Sequence, residues 1–324
     1  MGSTTIENKI KKLIQNIFKN HTYIVVFIVL FALATIINPN FASYSNITNL
    51  FKQSAVIGIL ALGMALIIIS GNIDLSIGSI ICMVSAASIE LLNNTGNILL
   101  TFIFAIAFAS FASFINGMLV AKFKVPAFIA TLSTMLIFRA ATEYFARNKM
   151  GGQYIVDNSI FDKFRVVAGG NVMTIPYLGI YFIVLALIII YIMECTKFGK
   201  YIYAVGSNEK SAKLAGINVT FIRTAVYVVS GILTGIAAVL YSSRLTAIQP
   251  SSAGLGFELD AIAAVVIGGI SMSGGRGKLT GVVFGVLIFQ IISTITVFAG
   301  IPPLLVGIVK GIVILCAVLA QSKR

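Results

Sequence analysis

The sequence predicts an all-α, polytopic membrane protein with about ten transmembrane segments, some of them broken or re-entrant. Three observations lead there. Of the 324 residues 58% are hydrophobic and 10% charged, with a mean hydropathy of +1.02, whereas a soluble domain carries roughly 25% charged residues. Apolar runs on the scale of a helical crossing, about 20 residues, recur from Thr22 to the C-terminus. Short polar, Gly or Pro stretches separate them.

Residues 1–21 are Lys-rich and amphipathic, with Ile10, Leu13, Ile14, Ile17 and Phe18 at helical spacing. No small-residue cleavage site follows, so they read as a cytoplasmic segment before an uncleaved first span. The expected spans are 22–38, 54–70, 77–92, 98–120, 125–141, 174–194, 225–243, 259–272, 279–298 and 303–320. Together they make one unit over 22–320, ending in a short tail, 321–324. The third is slightly short and the eighth too short to cross alone. Irregular backbone at membrane depth is tolerated only under protein or around a water-filled cavity, so these two are the candidates for broken elements.

Most of the 23 Lys and Arg residues fall on the side shared by both termini, among them Lys122, Lys124, Lys197, Lys200, Lys210, Lys213, Arg223, Arg276 and Lys278. By the positive-inside rule that side is cytoplasmic. The connection 142–173 is then external and reads equally as an ordered cap or a solvated connector. The connection 196–224 is cytoplasmic and holds "GSNEKSAKLAGINV". There Ser207 or Asn208 can N-cap a helix of about seven residues, with Glu209 in its first turn, Ala212 within it, Lys213 in its last turn and Gly216 at a left-handed C′ position. Such a helix suits a docking surface or a connector equally.

Several classes are excluded. The net charge of +13 is scattered, without the basic stripe that nucleic acid requires. Cys82, Cys195 and Cys316 are too dispersed for a disulfide framework or a metal site. The one histidine, His21, precedes the first span, and no nucleophile–base arrangement exists. "GGRGK" at Gly274–Lys278 fails as a phosphate loop, because Leu279 follows the lysine and Met272 stands where the first glycine belongs.

Ionisable groups in apolar surroundings are Asp74, Glu90, Arg139, Asp260 and Lys310. Each is costly in lipid, about 2.5–3.5 kcal/mol for a central charge. Glu90 and Arg139 sit near span ends and read as snorkelling; Asp260 reads as an exposed cap or an inward-facing group. In "GNIDLSIGS", Gly71 and Gly78 bracket a turn and Asn72, Asp74 and Ser76 can satisfy freed amides. Asp74 is expected to cap the third span through the amides of Leu75, Ser76 and Ile77; contact with a solute or a proton is the other reading. Gly268, Gly269, Gly274, Gly275 and Gly277 mark a broken, tightly packed element.

Five stretches resemble, in order, the permease subunits of monosaccharide ABC importers, most closely the ribose-type permeases of the branched-chain amino acid/ribose permease superfamily. They are "GNIDLSIGS", "KVPAFIATLSTMLIFR", "FGKYIYAVGSNEKSAKLAGINV", "LDAIAAVVIGGISMSGGRGKLTG" and "KGIVILCAV". Ser211, where Ala is expected, and Asn72, where Gly is common, depart from the pattern. The resemblance implies a bacterial inner-membrane transport subunit, not an enzyme, without a cofactor of its own. It also implies a second permease copy, surrounding lipid, an extracytoplasmic sugar-binding protein, and a separate ATPase that binds ATP and contacts the helix 209–216. Ribose is the nearest substrate, and Asn116, Thr131, Ser133 and Thr134 are candidates for lining the path, although Ser and Thr commonly bond their own helix. The rival from another class is an ion-coupled transporter of a small polar solute, with Asp74 titrating.

Overall fold

A computed structural model describes residues 22–146 and 153–322. The predicted amphipathic N-terminus, His21, Gly151, Gly152 and the last two residues of the tail lie outside them. Thirteen α-helices follow in order among the described residues: α1 Thr22–Ile37, α2 Tyr44–Ile69, α3 Ile77–Thr95, α4 Ile98–Ala121, α5 Ala127–Ala146, α6 Asn158–Gly169, α7 Tyr177–Cys195, α8 Lys197–Ser207, α9 Glu209–Leu214, α10 Val219–Leu245, α11 Phe257–Ile267, α12 Leu279–Phe298 and α13 Pro303–Ser322. Four two-residue strands form two antiparallel ladders. Gln153–Tyr154 pairs with Ala247–Ile248, and Asn171–Val172 with Ile175–Pro176.

A helix lies on each of the ten expected spans, but six (α2, α3, α4, α7, α10 and α12) are long and apolar enough to cross a membrane by length and composition. Of the others, α1 has 16 residues and α11 only 11. The two long connections also depart from the expected outline. Helix α5 continues to Ala146, and the stretch expected as a cytoplasmic loop is helical from Lys197 to Ser207, with α10 starting at Val219. The tail does not start at 321, since α13 runs to Ser322.

The packing is apolar both in the core and on the outer faces. From Ser54 to Ile69 helix α2 is apolar all round and almost wholly buried, as the centre of a bundle must be. The peripheral α1, α5, α7 and α13 expose Ile36, Ile137, Leu187 and Ile308. Helices attract one another weakly through apolar contact in lipid, so close backbone approach between small residues replaces hydrophobic drive. The closest pairing, α10 on α4, shows this. A Cβ on Gly231 would stand 2.7 Å from the Ser110 Cα, and one on Gly235 2.6 Å from the Ile106 Cα. Ala105 and Ala109 match that G-x-x-x-G spacing from α4.

The third and eighth spans are both entered through irregular backbone, although α3, with 19 residues, is long enough to cross and only α11 is short. Residues 70–76 lead into α3, and α11, about 16 Å long at 1.5 Å per residue, follows an irregular stretch from Gln249 to Gly256. That stretch lies along α3, where the Cys82 thiol reaches the Pro250 carbonyl at 3.5 Å. Arg139, expected to snorkel, turns inward instead. Its guanidinium donates to the carbonyls of Pro250 (3.0 Å), Ala253 (2.6 Å) and Gly78 (3.4 Å), supplying donors to the first two, which lie in the irregular stretch and lack a helical partner.

The connection after α5 is ordered where described. Asp157 caps α6, accepting from the Ser159 hydroxyl and amide at 2.7 Å each, and these hydrogen bonds hold its carboxyl below the usual range. Phe164 and Ala168 bury the inner face. Buried Ser243 of α10 donates to the Phe164 carbonyl (2.6 Å) and accepts from the Ala168 amide (3.0 Å). Ser243→Ala removes the hydroxyl that ties α10 to α6 but leaves the Phe164 carbonyl and Ala168 amide free to pair with each other as i and i+4 of α6, so a loss of about 1 kcal/mol is expected. Faster proteolysis within 155–170, with the rest of the chain equally resistant, checks it.

Candidate functional site

The segment Lys197–Asn218 builds a rigid projection at one end of the bundle. Thr196 opens α8 by accepting from the Gly199 amide at 3.3 Å. Asn208, the second of the two expected caps, accepts from the Ser211 amide at 3.0 Å; Ser207 is instead the last residue of α8. Helix α9 closes at Ala215, with Gly216 left-handed at φ +79° and the Ile217 amide returning to the Ala212 carbonyl at 3.0 Å. Ala212 is buried beneath the helix, while Leu214 is 90% exposed at its tip.

Two irregular segments meet against the end of α8. The Gly275 amide donates to the Ile69 carbonyl at the end of α2 (2.8 Å). Gly206 is wedged between that carbonyl and the Gly275 amide, and Gly274 lies against Gly71. Gly268 closes α11; Gly269, Gly274, Gly275 and Gly277 all have positive φ in the turn that leads to α12.

Charge then ties α9 to α10. Glu209 pairs with Lys213 on its own helix and with the Arg223 guanidinium, Nη1 to Oε2 2.8 Å. The hydrogen bond from Lys213 is the main reason that the Glu209 carboxyl sits below the usual range, with the Arg223 charge adding to it. One turn beyond Arg223, Tyr227 donates its hydroxyl to the Ile73 carbonyl at 3.0 Å. The contacts thus run from α9 through Arg223 and Tyr227 into the turn before α3.

In that turn Asp74 is fully buried. Its Oδ1 accepts from the Ser76 amide (2.8 Å) and hydroxyl (2.6 Å). The expected bonds to the Leu75 and Ile77 amides are not among its partners; one amide and one hydroxyl take their place, because Ser76 already stands at the cap position. Asn116 of α4 donates to the same hydroxyl at 2.7 Å. Asn72 donates to Ser70, and Gly78 packs in the first turn of α3 against the Gly254 carbonyl.

The other candidates are dispersed. The Thr131 and Thr134 hydroxyls donate to their own helix at Ala127 (2.8 Å) and Ala130 (3.1 Å), and Ser133 faces outward. Asp260 is neither an exposed cap nor free: Lys310 of α13 holds it at 2.8 Å. Among the described residues no His, Cys, Asp and Glu group could hold a metal ion. Gly206, Arg223 and Tyr227 join the site only through the fold. Their one signal in the sequence is the spacing of Arg223 and Tyr227, four apart on one face of α10.

Residues 46–318 match the model of the family described as the branched-chain amino acid transport system / permease component. The chain belongs to this family. Among the permease's relatives, the ribose import permease protein of Escherichia coli K12 is 36% identical over 305 residues, 93% of each chain. That of Haemophilus influenzae is 39% identical over 91% of this chain and 90% of its own. The L-arabinose transport system permease protein of E. coli K12 is 33% identical over 94% and 90%. No solved structure matches. Membership makes the chain a transport subunit rather than an enzyme.

Proposed function

We propose that this permease forms the translocation path of an ATP-driven importer for a monosaccharide, ribose or a related pentose, and that α9 is its contact with a separate ATPase. The likeness to ribose import permeases over nine-tenths of both chains carries the reading. The geometry of α9 supports it. A six-residue helix, capped at both ends and tied to α10 by an ion pair, presents Leu214 to solvent at no benefit to the fold. A cleft flanks it on each side. One, about 300 Å³, is lined by Lys124, Lys213 and Arg223 beside Glu209; the other, about 450 Å³, by Phe198, Tyr201 and Phe221. A ridge between a cationic and an aromatic groove suits a protein partner.

In this reading both termini and α9 lie in the cytoplasm, all ten segments contribute crossings, and a second copy completes the path. ATP binds to the partner and brings its two subunits together. Helix α9 moves with them, and through Arg223 and Tyr227 pulls on the turn before α3, while a binding protein delivers sugar at the opposite end. The permease itself makes and breaks no bond.

The test is D-ribose uptake by proteoliposomes holding the permease, its ATPase and its binding protein. Uptake that requires all three and ATP is expected, whereas uptake driven by a proton gradient without the ATPase would replace this reading by ion coupling. Glu209→Gln weakens the tie to Arg223 without disturbing the Asn208 cap. Uptake should fall severalfold while ATP hydrolysis persists, since exposed pairs contribute little to folding. Unchanged uptake would remove this ion pair from coupling.

A further inference from the structure

At the end of the bundle opposite α9, a cleft of about 370 Å³ opens between α2, α11, α12 and α13. Its walls are polar in a pattern that packing does not require. Asn46, Asn49 and Gln53 lie three and four residues apart on one face of α2. Gln290, Ser293 and Thr294 do the same on α12. Polar stripes at helical spacing face each other across the mouth of the cleft, with Asn49 and Gln53 exposed. They meet where Gln290 donates to the Gln53 side-chain carbonyl at 2.8 Å and, more weakly, to Thr294 at 3.4 Å.

The charges in the cleft define what enters. Asp260 and Lys310 cancel each other through bonds of 3.0 and 2.8 Å, and the ammonium lies 5.2 Å from the ring of Phe289, which also borders the cleft. A charged ligand would have to break that pair. A neutral one need not, and carboxamides, which both donate and accept, match hydroxyls best. Phe289 and Phe298 add apolar surface for a C–H face. We propose that this cleft is a binding site for a neutral polyol of monosaccharide size, bonded mainly by Asn49, Gln53 and Gln290. The cleft's size falls within the range of small-molecule sites. Its relation to transport rests on the importer reading; its occupancy does not.

Thiol labelling tests the site without any ATPase. Ile57→Cys, on the cleft wall but outside the bonding set, is introduced into a permease carrying Cys195→Ser and Cys316→Ser, in membrane vesicles, and the rate of maleimide modification is read with D-ribose or choline chloride as probe. D-ribose should slow labelling about threefold or more, which by mass action means that it fills about two-thirds of the sites, with choline chloride without effect. Gln290→Leu in the same background should abolish the protection. Equal rates with and without D-ribose, equal protection by choline chloride, or protection that survives Gln290→Leu, overturn the site. Thr294→Cys gives the same readout from the facing helix if the first variant does not reach the membrane. A permease that binds D-ribose here yet takes none up with ATP would keep the cleft and remove the importer reading.

Discussion

Gly206→Val should leave little intact permease in the membrane, whereas Gly216→Ala, ten residues on, should be tolerated. A side chain at 206 has nowhere to go. Its Cβ would stand 1.7 Å from the Ile69 carbonyl oxygen and 2.8 Å from the Gly275 amide, so the hydrogen bond that joins the end of α2 to the turn before α12 would have to break. All the colliding atoms are backbone and cannot rotate away. Overpacking typically costs about 1–3 kcal/mol where side chains can shift; with a buried backbone pair lost as well, about 4 kcal/mol or more is expected. At Gly216 the backbone is left-handed, but nothing lies within 4 Å of an added Cβ. Alanine there costs about 1 kcal/mol of backbone strain alone. Yield of monodisperse protein in detergent, with its melting temperature, separates the two. Equal behaviour of both variants would mean that the junction under α8 yields, and that α9 is not held rigidly enough to transmit movement.

The contrast between these glycines shows where sequence reasoning stops. The need for a residue such as Gly216 is local: a helix that begins at a cap and ends before "INV" requires a left-handed residue there, and the spacing alone places it. Gly206 is constrained by Ile69 and Gly275, each far away along the chain, and nothing in "YAVGSNE" announces them. The same division runs through the fold. Long apolar runs place the ten helices because hydropathy over about 20 residues is a local property. Helix α8 reads as loop because Lys197, Lys200, Tyr201 and Tyr203 dilute its apolar face. Arg139 misleads for another reason. A charge near a span end looks like a snorkelling group until the chain folds a row of carbonyls against it, and the choice between cap and inward-facing group at Asp260 stays open until a distant helix brings Lys310 to it. The polar stripes on α2 and α12 are legible singly; that they face each other is not.

Asp74→Ala should destabilise the permease by about 2–4 kcal/mol and remove most transport, whereas Asp74→Asn should preserve both. Alanine strips the acceptor from the Ser76 amide and hydroxyl, two donors in a site without water contact, and each unpaired group costs about 1–3 kcal/mol. It also frees the Ser76 hydroxyl that receives the Asn116 amide, loosening α3 from α4. Asparagine keeps Oδ1 and its two bonds. It also supplies what the site lacks: Asp74 Oδ2 and Asn116 Oδ1 are buried oxygens without a hydrogen-bond partner, and an NH₂ in place of Oδ2 introduces a donor among acceptors. Asp74→Asn should therefore melt at the same temperature as the parent or above it. The comparison also decides between mechanisms. A carboxyl that only pins the turn to which Tyr227 is tied is replaceable by its neutral isostere, and ATP-driven uptake should persist in that variant. If Asp74→Asn folds as well as the parent yet transports nothing, the carboxyl must change its protonation during the cycle. The case for ion coupling would then outweigh a purely structural role for the turn.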